Sequence, residues 1–355
     1  MTLEVRLALQ RDNFDMDFSM SVPASGAIAI SGPSGCGKTT VLRCLAGLDR
    51  HPNATVRLGD QTWQDAERFV PPHQRALGYV FQETTLFAHL SVADNVAFGW
   101  KRLAAAERRV ALEDAIDLLG IAPLLSRKPD ALSGGEKQRV AIARAVASSP
   151  RLLLMDEPLA SLDDISKRDI LPYLDSVCAQ LSVPLIYVSH STDEVARLAD
   201  TLVLLRKGRV VASGPIHDLL TSLDLPLAHE ANAESLIEAH VIGQDEQHHL
   251  TEVDSAAGRF LVVQEGLAEG SKVRLRIAAR DVSVTLSEPG DTSILNRFPA
   301  TIVAIEPTGD SQVTIRLRVG DAAMLARITH KSATELALEP GKNVYAQVKS
   351  VALFG

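Results

Sequence analysis

The chain has 355 residues, of which 46% are hydrophobic and 23% are charged, and its formal net charge is −8. This length predicts two domains, and the acidic balance argues against a general nucleic-acid-binding protein, which usually carries a basic face. No apolar stretch reaches the roughly 18 residues of a membrane span, and the start, "MTLEVRLALQRDNFDMDF", lacks the pattern of a signal peptide. Three scattered cysteines without metal-ligand spacing predict a reduced, cytosolic compartment.

The first part of the chain alternates between predicted strands and predicted helices, which indicates a mostly parallel sheet. The segment 84–147 has a helical pattern, within which "AAAERRVALEDAIDLLG" predicts one helix ending at Gly120. A hairpin is predicted to turn at Lys207–Gly208, and only strands are predicted beyond about residue 235. The strands of the first part are predicted at 3–10, 14–22, 27–31, 152–155 and 185–189.

The segment "GPSGCGKT" has the pattern G-x-x-x-x-G-K-T and lies between a predicted strand and a predicted helix, the context of a phosphate-binding loop. Glycines at 32 and 37 let backbone N–H groups surround phosphate oxygens, and the following helix adds its positive end. Lys38 would neutralise the β- and γ-phosphates, and the Thr39 hydroxyl would ligate Mg²⁺. The alternative interpretation is an ordinary glycine-rich turn. We also hypothesise that the Cys36 thiol makes the site sensitive to oxidants.

The apolar strand "LLLM" is followed directly by two carboxylates, Asp156 and Glu157. Ligands in open α/β sheets bind at the carboxyl ends of strands, so both side chains are expected at such a site. Asp156 suits a direct or indirect role in holding Mg²⁺, and Glu157 suits polarisation of an attacking water. Acidic residues that end a strand are common, and this assignment therefore depends on the phosphate loop.

The stretch "LSGGEKQRV" begins a predicted helix with a capping box formed by Ser133 and Glu136, which by itself is an ordinary helix start. Two glycines follow Ser133, however, and leave the N–H groups of the first turn open to an anion. One γ-phosphate does not need two such sites from one chain. The second site is therefore predicted to serve the nucleotide of another subunit.

The motifs "GPSGCGKTT", "YVFQ", "LSGGEKQR", "LLLMDEP", "ASLD" and "VSH" stand in the order found in ATP-binding cassette (ABC) proteins, and the chain resembles that family over about residues 1–220. The resemblance implies that Gln82 contacts Mg²⁺ and the attacking water and that His190 contacts the γ-phosphate. It implies that Asp163 crosses a dimer interface and that Phe14 stacks on adenine, although Phe18 is an alternative core partner at that hairpin. Implied Mg²⁺ contacts are Thr39, Gln82 and Asp156. Implied ATP contacts are Gly32, Pro33, Ser34, Gly35, Cys36, Gly37, Lys38, Thr39 and Thr40, with Ser133, Gly134 and Gly135 acting on the ATP of the opposite subunit.

The resemblance implies a fold and a set of partners. The expected fold is an α/β P-loop NTPase domain (1–228) with a helical subdomain (about 84–147), followed by a small all-β, OB-like region (229–355). Expected cofactors are ATP and Mg²⁺. Expected partners are a second copy of the chain, integral membrane permease subunits and, through these, a periplasmic or surface solute-binding protein. The location would be the cytoplasmic face of the inner membrane, and nucleic acid is not an expected partner.

The C-terminal region resembles the regulatory domains of sugar and oxyanion importers, and residues about 290–354 resemble the small molybdate-binding Mop domain. Its opening run is Ser293-Ile294-Leu295-Asn296, without the arginine usual there, and its closing pair is Lys349–Ser350 in a predicted strand "NVYAQVKSV". Hydroxyls, backbone N–H groups and a cation suit a tetrahedral dianion. The candidate residues for molybdate or tungstate are Thr292, Ser293, Asn296, Lys349 and Ser350.

Several phrases, including "DEPLASLD" and "YVSHSTDE", also resemble the ATPase of molybdate importers over nearly the whole chain. The predicted function is therefore an ATPase that energises molybdate import, with a C-terminal oxyanion sensor. Two alternatives remain open at this point. One is an importer ATPase for sulfate, iron or a sugar, whose tail only dimerises. The other is a cytosolic oxyanion-binding or storage protein with an inactive cassette.

Overall fold

The computed structural model describes residues 2–11, 14–181, 183–264 and 266–354, and for residues 11 and 14 it describes the backbone only. The chain divides into two compact units, Met1–Gly214 and Pro215–Gly355. The sequence places the domain boundary later, at 228, because the helical pattern weakens only after residue 215. In the structure the short helix at 216–220 packs on the first strand of the second unit.

The first unit is built on one ten-stranded sheet with the strand order β5-β4-β1-β2-β10-β9-β3-β8-β7-β6. Its strands are β1 (Thr2–Arg11), β2 (Phe14–Pro23), β3 (Ala27–Ser31), β4 (Thr55–Leu58), β5 (Gln61–Gln64), β6 (Leu77–Val80), β7 (Leu152–Asp156), β8 (Leu185–Val188), β9 (Thr201–Arg206) and β10 (Arg209–Pro215). β1 and β2 form the predicted antiparallel hairpin, and β3, β6, β7, β8 and β9 run parallel.

Six helices complete this unit: α1 (Lys38–Ala46), α2 (Val92–Trp100), α3 (Leu112–Leu118), α4 (Gly134–Ala147), α5 (Asp164–Gln180) and α6 (Thr192–Leu198). They bury both faces of the parallel strands. In β7, for example, Leu152 and Leu154 lie in one apolar cluster and Leu153 and Met155 lie in the other, as the alternation of a strand requires. The parallel sheet covered on both sides confirms the predicted α/β class.

Helix α3 is shorter than the sequence pattern predicts. Gly120 follows its end in a left-handed conformation, with φ of 57°, but the helix begins only at Leu112. The residues before it are held differently, because the backbone N–H groups of Arg109 and Val110 both donate to Oγ of Ser149 at 3.1 Å. These two N–H groups therefore bond to a residue about 40 positions away instead of to a preceding helical turn. The hydrophobic periodicity of the segment does not indicate such a contact.

The second unit contains two five-stranded antiparallel sheets around one apolar core, with the orders β13-β12-β11-β14-β20 and β15-β19-β16-β17-β18. Its strands are β11 (Glu234–Asp245), β12 (Leu250–Ser255), β13 (Gly258–Val262), β14 (Lys272–Ala278), β15 (Val282–Thr285), β16 (Asn296–Thr308), β17 (Gln312–Val319), β18 (Ala322–Thr329), β19 (Asn343–Val348) and β20 (Ala352–Phe354). Its two short helices are α7 (Ile216–Leu220) and α8 (His330–Glu335).

The predicted closing strand "NVYAQVKSV" is wrong at its end, because β19 stops at Val348. Strand β19 pairs with β15 and β16, whereas β20 pairs with β14 in the other sheet. Lys349 and Ser350 therefore lie where the chain passes from one sheet to the other, and both are exposed. The N–H of Lys349 donates to the carbonyl of Asp281 at 2.9 Å, one position beyond the last β15–β19 pair, Val282 and Val348.

No helix in the described ranges combines the length and the apolar character that crossing a membrane requires.

Candidate functional site

The candidate catalytic side chains lie at the carboxyl edge of the parallel strands. Val80 of β6 lies opposite Met155 of β7, and Asp156 and Ile30 both lie opposite Val188 of β8. The segments that leave these strands therefore start at one level of the sheet. They are the phosphate loop after β3, the Gln82 segment after β6, Glu157 after β7 and His190 after β8. In open α/β sheets this edge is where ligands bind.

The phosphate loop is shaped by close backbone contacts. Gly32 has φ of 151°, and a Cβ at this position would lie 2.0 Å from the carbonyl oxygen of Leu205, so only glycine fits. The Lys38 side chain is buried, and its Nζ donates to the carbonyls of Gly32 at 2.9 Å and Pro33 at 3.2 Å. The loop therefore wraps around its own lysine and leads directly into α1.

Thr39 and Asp156 meet at the start of α1. The Thr39 hydroxyl donates to Oδ1 of Asp156 at 3.1 Å, and the Tyr79 hydroxyl donates to Oδ2 at 3.3 Å. Burial raises the pKa of the Asp156 carboxyl, while the two hydroxyl donors and the charge of Lys38 act in the opposite direction. Burial, with the charge of Asp156, also raises the pKa of Tyr79, so its phenol remains a donor. The Thr39 hydroxyl and the Asp156 carboxylate, both predicted Mg²⁺ ligands, therefore lie next to each other.

Glu157 and His190 are adjacent. Oε2 of Glu157 lies 3.2 Å from Nδ1 of His190, and Oε1 lies 3.9 Å from Nζ of Lys38. The backbone of Glu157 is left-handed, with φ of 43°, and its N–H donates to the carbonyl of Val188 at 2.9 Å. From this backbone position the carboxylate lies next to both a cation and an imidazole.

Gln82 is exposed and follows β6 at the level of Glu157. The segment after it is attached to helix α4. Thr84 Oγ1 donates to Oε1 of the buried Gln138, and Nη2 of Arg144 donates to the carbonyl of Thr85 at 2.7 Å. The Gln82 segment and α4 are therefore mechanically connected.

Helix α4 begins with the predicted capping box. The N–H of Glu136 donates to Oγ of Ser133 at 3.2 Å, and the N–H of Ser133 donates to Oε2 of Glu136 at 2.8 Å. The latter bond lowers the pKa of Glu136. A cavity of about 460 Å³ lies between this first turn and α5, lined by Ser133 and Gly135 on one side and by Ser166 on the other. A Cβ on Gly134 would meet Leu162 at 3.2 Å, so the turn is closely packed there.

Asp163 is the N-cap of α5. Its Oδ1 accepts from the N–H groups of Ile165 at 3.0 Å and Ser166 at 2.9 Å, and its Oδ2 accepts from the Ser166 hydroxyl at 2.9 Å. These bonds, led by that from the Ser166 N–H, lower its pKa. Within one chain Asp163 therefore has a complete structural role as a cap.

Two other predictions concern the nucleotide pocket. Cys36 is buried, and burial raises the pKa of its thiol, which disfavours the reactive thiolate that oxidant sensitivity requires. Phe14 is the first residue of β2. The adenine-stacking prediction concerns its ring, which lies outside the described part of the structure.

The candidate oxyanion residues are only partly brought together. Asn296 lies opposite Val348 across β16 and β19, so the 292–296 segment and Lys349 reach the same end of the sheet. The Asn296 amide is buried and already paired, since Oδ1 accepts from Leu261 N at 2.8 Å and Nδ2 donates to Leu261 O at 2.9 Å. Thr292 and Ser293 are exposed. A role for Asn296 in anion binding would require breaking both bonds.

Sequence reasoning missed Tyr79, Gln138 and Glu194. Tyr79 stands in the quoted motif "YVFQ", and a hydroxyl at the end of a strand next to a carboxylate strand was an available signal. Gln138 lies in "LSGGEKQR", but its partner Thr84 is 54 residues away. Glu194 lies in the predicted helix start Ser191-x-x-Glu194, and its contacts to Tyr187 and Ser189 have no local signature in the sequence.

Comparison with known proteins gives the following matches. The ABC transporter family model matches residues 16–160, and the TOBE domain model matches residues 292–354. The chain is 51% identical over 353 residues to the "Molybdenum import ATP-binding protein ModC" of Aromatoleum aromaticum, covering 99% of this chain and 94% of the relative. It is 49% identical over 356 residues to the protein of the same name from Pseudomonas aeruginosa, covering 99% of each. Among solved structures, a bacterial Atm1-family ABC exporter with ATP bound matches at a TM-score of 0.51 and 29% identity, over 62% of this chain and 39% of that chain.

Proposed function

The chain belongs to the molybdenum import ATP-binding proteins of the ABC transporter family, and from this we propose that it hydrolyses ATP to drive molybdate import through a separate membrane permease. Among the predicted alternatives, the relatives favour molybdenum over sulfate, iron or a sugar. The observation within the site that carries the proposal is the meeting of Lys38, Glu157 and His190 at one edge of the sheet. An inactive cassette would not need this arrangement.

ATP is bound by the phosphate loop. Backbone N–H groups of the loop donate to the phosphates, except at Pro33, which has no N–H, and the Lys38 ammonium exchanges the carbonyls of Gly32 and Pro33 for phosphate oxygens. Phe14 remains the predicted stacking partner for adenine.

Three oxygen-bearing side chains, Thr39, Asp156 and Gln82, fit Mg²⁺, which prefers oxygen ligands. Two of them are already adjacent, with Thr39 Oγ1 and Asp156 Oδ1 at 3.1 Å. Mg²⁺ supplies charge that neutralises the phosphate oxygens. A cation here also offsets the cost of burying the Asp156 carboxylate, whose pKa is raised by burial.

Glu157 accepts a hydrogen bond from the attacking water and orients it toward the γ-phosphate. Phosphoryl transfer depends mainly on positioning and electrostatic stabilisation, so the direction of this carboxylate matters more than its basicity. His190, in contact with Glu157 through Nδ1, donates from its other nitrogen to the γ-phosphate when protonated there.

A second copy of the chain completes the site. Ser133 caps α4, and Gly134 and Gly135 form its first turn, which carries the positive helix end. These groups contact the ATP of the opposite copy, with Asp163 at the interface. The cavity of about 460 Å³ beside Ser133 and Gly135 supports this assignment.

The membrane partner is the permease that the import function requires, with a solute-binding protein beyond it, and the chain acts at the cytoplasmic face of the inner membrane. The segment after Gln82 is the proposed contact, since Phe87 packs against Phe98 with ring centroids 4.4 Å apart and is only half-buried. Its link to α4 through Thr84 and Arg144 carries the state of the ATP site toward the permease.

The C-terminal unit is proposed to bind molybdate or tungstate as a regulatory ligand. Lys349 and Ser350 are exposed at the sheet crossing, near the end of the sheet where Thr292 and Ser293 lie. The proposal does not include Asn296, since its amide is paired with Leu261.

The test compares the wild-type chain with Glu157→Gln and, as a matched control, with Glu113→Gln, an exposed acid on α3. ATP hydrolysis by the purified chain and uptake of radiolabelled molybdate by cells that also express the permease are measured. Glu157→Gln is expected to lower hydrolysis about 100-fold or more and to abolish uptake, while ATP binding is retained. Normal hydrolysis by Glu157→Gln would overturn the role of Glu157. Uptake of sulfate instead of molybdate would overturn the substrate.

A further inference from the structure

A buried carboxylate lies behind the turn that presents His190. Glu194, on α6, is 5% exposed. Its Oε2 accepts hydrogen bonds from the hydroxyls of Tyr187 and Ser189, both at 2.8 Å. Tyr187 lies within β8, and Ser189 directly precedes His190. One oxygen of Glu194 therefore holds the segment that leads from β8 to His190.

The far side of His190 is attached to the same group. The N–H of Ser191 donates to Oγ of Ser189 at 3.0 Å, and the N–H of Glu194 donates to Oγ of Ser191 at 3.4 Å. His190 is therefore an exposed residue between two serines. Ser189 bonds to the Glu194 carboxylate, and Ser191 bonds to Ser189 and to the Glu194 N–H. The turn has little freedom while these bonds persist.

The Glu194 carboxylate is surrounded by hydrogen-bond donors and one cation. Lys167 Nζ, on α5, lies 3.9 Å from Oε1 of Glu194. Tyr187 is fully buried, and burial together with the charge of Glu194 raises its pKa well above the usual value, so the phenol acts as a donor. A buried carboxylate with two hydroxyl donors and a nearby ammonium is costly to assemble compared with an apolar side chain. Filling the core does not require it.

We propose that Glu194 is a positioning residue for ATP hydrolysis, which holds the 189–191 turn so that the His190 ring faces Glu157. The inference rests on the proposed function. The Nδ1 of His190 lies 3.2 Å from Oε2 of Glu157, and this contact depends on where the turn places the ring. A displacement of about 1 Å at a catalytic group can cost about 100-fold in rate.

The test uses Glu194→Gln, which keeps the shape of the side chain but weakens its two hydroxyl bonds and the attraction to Lys167. Asp175→Asn is the matched control. Asp175 joins the same two helices, since its Oδ2 accepts from Arg197 Nε at 2.8 Å, but it does not contact the turn. Full-length proteins are compared by kcat and KM for ATP. Glu194→Gln is expected to lower kcat about 10-fold or more with KM within about twofold, and Asp175→Asn is expected to leave kcat unchanged.

A double-mutant cycle separates positioning from a general effect on folding. In the His190→Ala background, Glu194→Gln is expected to cause no further loss of kcat, because the group it positions is absent. An equal loss in both backgrounds, or an equal loss in Asp175→Asn, would overturn the inference. Should Glu194→Gln fold poorly by circular dichroism, Ser189→Ala replaces it, with a smaller loss of kcat expected and an unchanged kcat contradicting the inference. Absence of hydrolysis by the wild-type chain would instead refute the proposed function.

Discussion

At the scale of single residues, the site combines a strained backbone with a buried charge. Glu157 adopts φ of 43°, a conformation that costs a non-glycine residue about 1 kcal/mol or more. Its neighbour Asp156 is 4% exposed, although an isolated carboxylate favours water. In return, a Glu157 oxygen lies 3.9 Å from Lys38 Nζ and an Asp156 oxygen accepts from the Thr39 hydroxyl.

The raised pKa of Asp156 gives a prediction about stability. Its carboxyl holds a proton to higher pH in the folded chain than in the unfolded chain, so the folded state loses stability as pH rises from 3.8 through the folded pKa. At pH 7 and without Mg²⁺, Asp156→Asn is therefore expected to raise the free energy of unfolding in urea. The gain should disappear at about pH 3, where the carboxyl is protonated in both states.

The control is Asp60→Asn, an exposed residue in the β4–β5 turn, which is expected to leave stability unchanged. A lower unfolding free energy for Asp156→Asn at pH 7 would show that the Thr39 and Tyr79 hydrogen bonds outweigh the cost of burial.

At the scale of secondary-structure elements, α1 is held at both ends. The phosphate loop surrounds its first residue, Lys38, and Arg75 satisfies its last carbonyls. Nη1 of Arg75 donates to the carbonyls of Cys44 at 2.9 Å and Leu45 at 2.6 Å, and Nε donates to that of Val70 at 2.8 Å. Burial lowers the pKa of Arg75 to about 10, so its guanidinium is still charged at neutral pH.

Arg75→Met is expected to lower the free energy of unfolding by about 3 kcal/mol, because helix carbonyls that are buried beneath the guanidinium lose a charged donor. Arg75→Lys is expected to restore only part of the loss, since an ammonium cannot reproduce the planar fork. Urea denaturation measures both, with the exposed Arg57→Met as the control. An Arg75→Met chain as stable as the wild type would contradict this view of the helix end.

Elements whose signals are local were predictable from sequence, and elements set by distant contacts were not. The β1–β2 hairpin follows from two alternating runs, and the strands leading to Asp156 and His190 follow from short, continuous apolar runs. The start of α3 follows from bonds to Ser149, and the break between β19 and β20 follows from the pairing of β20 with β14 in the other sheet; periodicity encodes neither. The same distinction holds at the site, where Lys38 and Thr39 lie in one motif but Tyr79 reaches Asp156 across 77 residues.

At the scale of the whole molecule, each unit is expected to bind its own anion. The cassette unit binds ATP, and the TOBE-matching unit exposes Lys349 and Ser350 at its sheet crossing. The full-length chain, saturated with ADP and Mg²⁺, is titrated calorimetrically with molybdate, tungstate and sulfate. Micromolar binding of molybdate is expected, and Lys349→Ala with Ser350→Ala should weaken it about 10-fold or more, since a charged donor is lost.

Lys331→Ala, an exposed lysine on α8, is the matched control and is expected to bind molybdate as the wild type does. Equal binding of sulfate, or unchanged binding by the Lys349 and Ser350 variant, would refute this assignment while leaving the ATPase assignment intact.

The attachment of the Gln82 segment to α4 has a further consequence in a pair of identical chains. Through Thr84 and Gln138, the segment proposed to contact a chain's own ATP is joined to the helix whose first turn is proposed to contact the ATP of a second copy. If two copies pair as proposed, we expect a shift caused by nucleotide at one site to reach the other site through these hydrogen bonds. The expected outcome is cooperative ATP turnover, with a Hill coefficient above one and at most about two, the number of sites in the proposed pair.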